Sequence, residues 1–168
     1  MTITIENYRT LFTNVRTRPG MWFARSDLST VVAFVTGCDQ ANARGLLTGF
    51  QEWLVTRAGY GESFIWWAIV VHLTEPVGAK DIGDMDAGLE ARVVETLWDL
   101  LDEFLELRAE DDGLNRIYAA HHRWTRLRAE AGCGSRNLPE TPWPRPRSRT
   151  DPPPHGYAQS TPADRPIP

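Results

Sequence analysis

Residues 81–112 hold twelve carboxylates (Asp81, Asp84, Asp86, Glu90, Glu95, Asp99, Asp102, Glu103, Glu106, Glu110, Asp111 and Asp112) against Arg92 and Arg108, a net of −10. Carboxylates at that density could hold a hard cation, work as an acid–base pair, or attract a basic partner. The calcium option centres on "DIGDMD", residues 81–86. A calcium loop needs oxygens at alternating positions, a central glycine and a terminal bidentate Glu, and this spacing does not supply them. Its last acid, Asp86, instead suits a helix N-cap. His121 and His122 are adjacent, so on a helix they point about 100° apart and cannot face one metal. Two cysteines, Cys38 and Cys133, are too few for a zinc site or a disulfide framework. Cys38 falls in an apolar stripe, where burial raises rather than lowers a thiol pKa. There is no nucleophile elbow and no phosphate loop. No catalytic residue, no metal site and no cofactor is therefore assigned.

The second chemical candidate is "TRPGMW", residues 17–22. It is similar to a segment near the start of gyrase-type ATPases. Such a site also needs an acid and an Asn on the next helix and an Asp-x-Gly-x-Gly turn. The next helix here offers Asp39 and Asn42 without a Glu, and "DIGDMDAG" is a different turn. The ATPase reading is set aside. What the string does predict is a corner: Pro19 fixes φ, Gly20 permits a positive φ, and Met21, Trp22 and Phe23 plug the core side. Arg16 and Arg18 flank the turn and can meet acids of a later helix.

Helices position these groups. "IENYRTLFTNVR" spaces Ile5, Tyr8, Leu11, Phe12 and Val15 along one face. The next helix starts at Ser26 or Asp27 and buries Leu28, Val31, Val32, Val35 and Cys38. Gly49 to Arg57 places Phe50, Trp53 and Leu54 on one side. "SFIWWAIVVHLTEP" is apolar all round and reads as the central helix, with Trp66 as well as Trp53 in the core. The acidic helix has Asp86 as cap and a stripe of Leu89, Val93, Leu97, Leu100, Leu101 and Phe104, with Glu95, Asp99, Asp102, Glu103 and Glu106 largely off it. Asp112 opens a last helix carrying Arg116, Arg123, Arg126 and Arg128, which are expected to pair with the acidic helix. No alternating strand pattern and no fixed-period repeat occurs. The fold expected is all-α, a single-domain bundle of about five helices.

Ten of the twelve prolines lie at or beyond Pro139, and the five arginines of residues 133–168 face only Glu140, Asp151 and Asp164. Residues 133–168 thus carry +2 and have few apolar side chains, the composition of a disordered tail. The domain is residues 1–132. Since the whole chain is −4, the domain carries −6, which repels nucleic acid. The longest apolar run, Phe64 to Leu73, is half a membrane span. Residues 1–20 lack the order of a signal peptide. A cytoplasmic protein with no membrane role is expected.

In order, the chain presents "RPGMW", "LSTVVAFVTG", "GFQEWL", "FIWWAIVVHLTEP" and "LWDLLDEFLELR". This order resembles a set of small uncharacterised bacterial proteins that look like immunity proteins of toxin systems. The likeness covers residues 15 to about 125; Cys38 stands where an aromatic is more usual, and the Pro-rich tail is extra. The resemblance implies a small binding protein that covers and blocks a partner. Its expected partner is a protein, a basic toxin in the simplest case, met by Glu95, Asp99, Asp102, Glu103 and Glu106 with Arg18. A small enzyme or a structural adaptor is the alternative.

Overall fold

The computed structural model describes residues 4–75 and 85–131. The Pro/Arg-rich segment 133–168, and Asp81 and Asp84 of the candidate calcium loop, lie outside the described residues. The fold is all-α: six α-helices and one 3-10 turn, with no strand among the described residues. The six helices fall on the six helical segments of the sequence, one more than the expected count of about five.

Helix α1 is Ile5–Thr17, followed by the 3-10 turn Pro19–Met21 and α2, Leu28–Ala41. Asp27 is the N-cap of α2, its carboxylate accepting a bond from the Thr30 amide at 2.8 Å. Helix α3 is Phe50–Ala58 and α4 is Trp66–Thr74. Gly49 opens α3 at φ +85°, a left-handed conformation that costs a side-chain-bearing residue more. Helix α5, Ala87–Ala109, is capped by Asp86 as expected, and α6 is Gly113–Ala131.

The central helix is α5, not α4. It buries ten side chains from Leu89 to Leu107 and packs against α1, α2, α4 and α6. Helix α4 is nine residues long and buries only Ile69, Val70 and Val71. Phe64 and Ile65, read as its first turn, lie before it and are exposed, and Trp66 is half-buried against the core. Uniform apolarity marked α4 as interior, but a nine-residue helix spans only about 14 Å and cannot serve every neighbour. The expected core aromatic Trp53 is 2% exposed, stacked on Phe50, and both rings lie against Phe104 of α5 at 5.9 and 4.9 Å. Such aromatic contacts add to the area they bury.

The link from α5 to α6 is three residues, Glu110–Asp112. It doubles back so tightly that a Cβ on Gly113 would lie 1.8 Å from the Leu107 carbonyl oxygen. Only glycine fits there without moving the chain.

Candidate protein-binding surface

The off-stripe acids of α5 are not an open comb. Arg9 and Arg16, seven residues apart, lie on the same face of α1. Glu95, Asp99, Asp102 and Glu106 follow one another up α5 at steps of four, three and four. The helices run antiparallel, so Arg16 meets the first two acids and Arg9 the last two. The Arg16 guanidinium donates to Asp99 at 2.6 Å and to Glu95 at 2.7 Å. Arg9 donates to Asp102 at 2.9 Å and stands 4.0 Å from Glu106. The bond to Asp102 raises the Arg9 pKa against the opposing effect of burial. For Arg16, burial is the strongest single influence and lowers the pKa, but the bonds to Glu95 and Asp99 outweigh it and the net direction is up.

Glu103 is paired differently. Its partner Arg57, on α3, has a side chain only 3% exposed and donates at 2.6 Å. The Arg57 guanidinium also lies over the Trp53 ring, 4.9 Å from its centroid. All five acids assigned to a partner thus meet an arginine of the same chain. Five carboxylates against three guanidinia leave −2 on that face. Arg16 meets acids of a later helix as expected, and Arg9 of α1 and Arg57 of α3 complete the pairing of α5, whereas the arginines of α6 do not pair with it as expected. Arg116 instead pairs with Glu110 and Asp112 in the link, Arg126 with Glu130 on its own helix, and Arg128 lies over Trp124.

The corner after α1 behaves in the opposite way. Arg18, the sixth predicted site residue, is exposed and makes no ion pair among the described residues. The amides of Met21 and Trp22 donate to Arg18 and Pro19 carbonyls at 3.0 and 2.9 Å, which holds the turn in one shape. Gly20 does not take a positive φ as expected. It sits inside the 3-10 turn with open space where a Cβ would be. Nor do Met21 and Trp22 plug the core: they are 75% and 47% exposed. Of the three expected plug residues only Phe23 packs inward, half-buried.

The corner is nevertheless firmly backed. Trp22 and Phe23 both meet Phe34 of α2 edge-on, at 6.3 and 5.3 Å. Phe34 meets Phe12 of α1, and Phe12 meets Trp98 of α5 at 5.7 Å. A continuous run of rings therefore connects the exposed Trp22 to the centre of the bundle. Beside the corner, Pro19 and Phe23 share a half-open hollow of about 180 Å³ with Val15, Val31, Val94 and Trp98. A smaller hollow, about 100 Å³, lies along the α1–α5 seam next to Arg9 and Asp102.

Arg25 was missed from the sequence. Its side chain is 83% exposed and lies 3.4 Å from Asp27, whose other oxygen caps α2. The available signal was the acid-free run from Asn7 to Ser26, whose four arginines exceed what the facing acids of α5 engage. Cys38 is half-buried, and burial raises its thiol pKa, which disfavours the thiolate. His121 stacks on Trp124, and His72 lies between the Tyr60 and Phe64 rings with Nδ1 at 2.9 Å from the Ala68 carbonyl. No group of three or more His, Cys, Asp or Glu that could hold a metal occurs among the described residues. No described helix is long and apolar enough to cross a membrane.

Comparison with protein families, with characterised proteins and with solved structures finds no match.

Proposed function

We propose that this chain is a protein-binding module that docks on its partner through the Arg18–Trp22 corner, in the manner of an immunity-type protein that blocks a partner by covering it. The observation that carries this is Met21 at 75% and Trp22 at 47% exposure on a hydrogen-bonded turn. Large apolar side chains carried into water on a hydrogen-bonded turn, with a charged residue beside them, have the make-up of a binding hot spot. The ring contact to Phe34 restrains Trp22, which lowers the conformational entropy lost on docking. The immunity-type role rests on the motif order of residues 15–125. Recognition of a basic toxin by Glu95, Asp99, Asp102, Glu103 and Glu106 has less support, since each of those acids already has an arginine.

Capture from the native cell, comparing the tagged chain with Trp22→Ala and Met21→Ala, tests the corner. The expected result is one protein held by the unaltered chain and by a Phe64→Ala control, and lost by both corner variants while they stay folded, with stability lowered by no more than about 1 kcal/mol. A partner retained by both corner variants would move the surface elsewhere. For the immunity-type role, the captured protein should be a toxin whose activity falls when this chain is added.

A further inference from the structure

We propose that the corner recognises a short segment of its partner in which one or two carboxylates flank a large apolar side chain. This rests on the corner being the docking surface, and it adds the chemistry of what docks. Among the described residues, the acids near the corner are already engaged. Asp27 caps α2 and pairs with Arg25, Glu90 accepts a bond from the Leu28 amide at 3.1 Å, and Glu95 is held by Arg16. Arg18 has no ion pair among the described residues, and the Arg25 side chain is 83% exposed. The apolar knob of Met21 and Trp22 is thus bracketed by two accessible guanidinia. Arginine is well suited to such a place, since its planar fork meets a carboxylate with two parallel bonds.

The hollow beside the knob supplies a seat for the apolar side chain. Its volume of about 180 Å³ compares with the ~150 Å³ cavity that holds a benzene ring. Its walls are mostly apolar, with the Arg16–Glu95 pair at the edge.

The rest of the domain limits how acidic the segment can be. Residues 1–132 carry −6, so a polyanion is repelled by the body even as the corner attracts it. Arg18 and Arg25 act within roughly a Debye length, about 8–10 Å. One or two carboxylates placed at the corner satisfy both conditions. Residues 133–168 of the same chain carry +2 and are the wrong sign, and a second copy meeting corner to corner would oppose like charges.

A random-peptide display library selected against the full chain provides the test. Selected peptides should place Asp or Glu next to Leu, Phe or Trp. Their affinity should fall about tenfold or more in Arg18→Glu/Arg25→Glu and weaken as salt is raised. It should be lost in Trp22→Ala and in Met21→Ala, with melting temperature measured alongside. Trp22-dependent peptides that are basic or uncharged, or that ignore the double charge reversal, would overturn this inference and leave the corner as the docking surface. Peptides indifferent to both Trp22 and Met21 would overturn the corner itself. Failure to select any peptide, or a concentration-dependent dimer abolished by Trp22→Ala, would overturn the acidic-segment assignment.

Discussion

Arg16 and Arg18 are two residues apart and have opposite fates. Arg16 faces α5, where it holds Glu95 and Asp99 above the buried rings of Phe12 and Trp98. Arg18 sits past the end of α1 with no ion pair among the described residues, beside a Trp that is half in water. Seam and corner use the same materials, arginine and aromatic rings. In the seam each group has found its complement inside the molecule. At the corner Arg18 has no ion pair among the described residues, and the turn leaves Met21 and Trp22 largely in water. Density of charge in the sequence is therefore a poor guide to which charges stay unpaired in the fold.

The largest effect should separate the rings. Trp98→Ala removes a side chain 5% exposed and should cost roughly 3–5 kcal/mol. Trp22→Ala should cost only about 1 kcal/mol, since the ring contact to Phe34 is its main intramolecular tie. Thermal unfolding of both variants checks this. Equal losses would mean that Trp22 belongs to the core and that the contrast between the regions is false.

Next comes the acidic face. Changing Glu95, Asp99, Asp102 and Glu106 together to Lys would set six cations along the α1–α5 seam, counting Arg9 and Arg16. The four pairs lost and the repulsion gained should lower stability by about 2–4 kcal/mol. A face of freely solvated acids would tolerate the change. Unfolding in urea is the appropriate measurement, because guanidinium salt would screen the charges in question.

A finer version uses the two arginines. Arg16→Ala leaves two carboxylates unpaired and should cost about 1 kcal/mol, a third of its side chain being solvated. Arg18→Ala should stay within about 0.5 kcal/mol. A double-mutant cycle between Arg16 and Asp99 should show coupling that fades with added salt.

Much of the fold was legible because it is local. The caps Asp27 and Asp86, the buried stripe of α5 and the place of Trp53 follow from helical period and capping chemistry. What was not legible depends on which helices become neighbours. Glu95, Asp99, Asp102 and Glu106 read as partner-facing because nothing within α5 pairs with them. That Arg16 meets acids of a later helix is legible, but which acids it meets, and that Arg9 meets the others, depends on helices roughly eighty to ninety positions apart in the chain. Met21 and Trp22 read as buried because apolar residues between two helices usually are. Their exposure follows from the direction in which the Pro19–Met21 turn leaves α1, which sequence spacing does not specify. Helix α4 failed for a related reason: apolarity on all sides marks a segment that dislikes water, but not which segment lies at the centre.

The smallest effect concerns the joint between corner and bundle. Asp27 ends the corner segment, and its hydrogen bonds to Thr30, aided by Arg25, hold its carboxyl below the ordinary carboxylate range. A lowered folded pKa means that the ionised cap favours the folded state. That contribution is complete above the unfolded value of about 3.9 and is lost as pH falls through the lower folded value. Asp27→Asn keeps a capping oxygen but no charge. The melting temperature of the unaltered chain should therefore exceed that of Asp27→Asn near neutral pH, and the gap should narrow with acidification below about 4. Asp27→Ala, which has no cap, should fall below both at neutral pH. In that background the Arg16–Asp99 coupling should keep its value, because Asp27 touches neither partner. A coupling that changed with the cap would show the corner and the seam to be one cooperative unit. Trp22 and Met21 would then have to be treated as part of the α1–α5 packing rather than as a surface fixed independently of it.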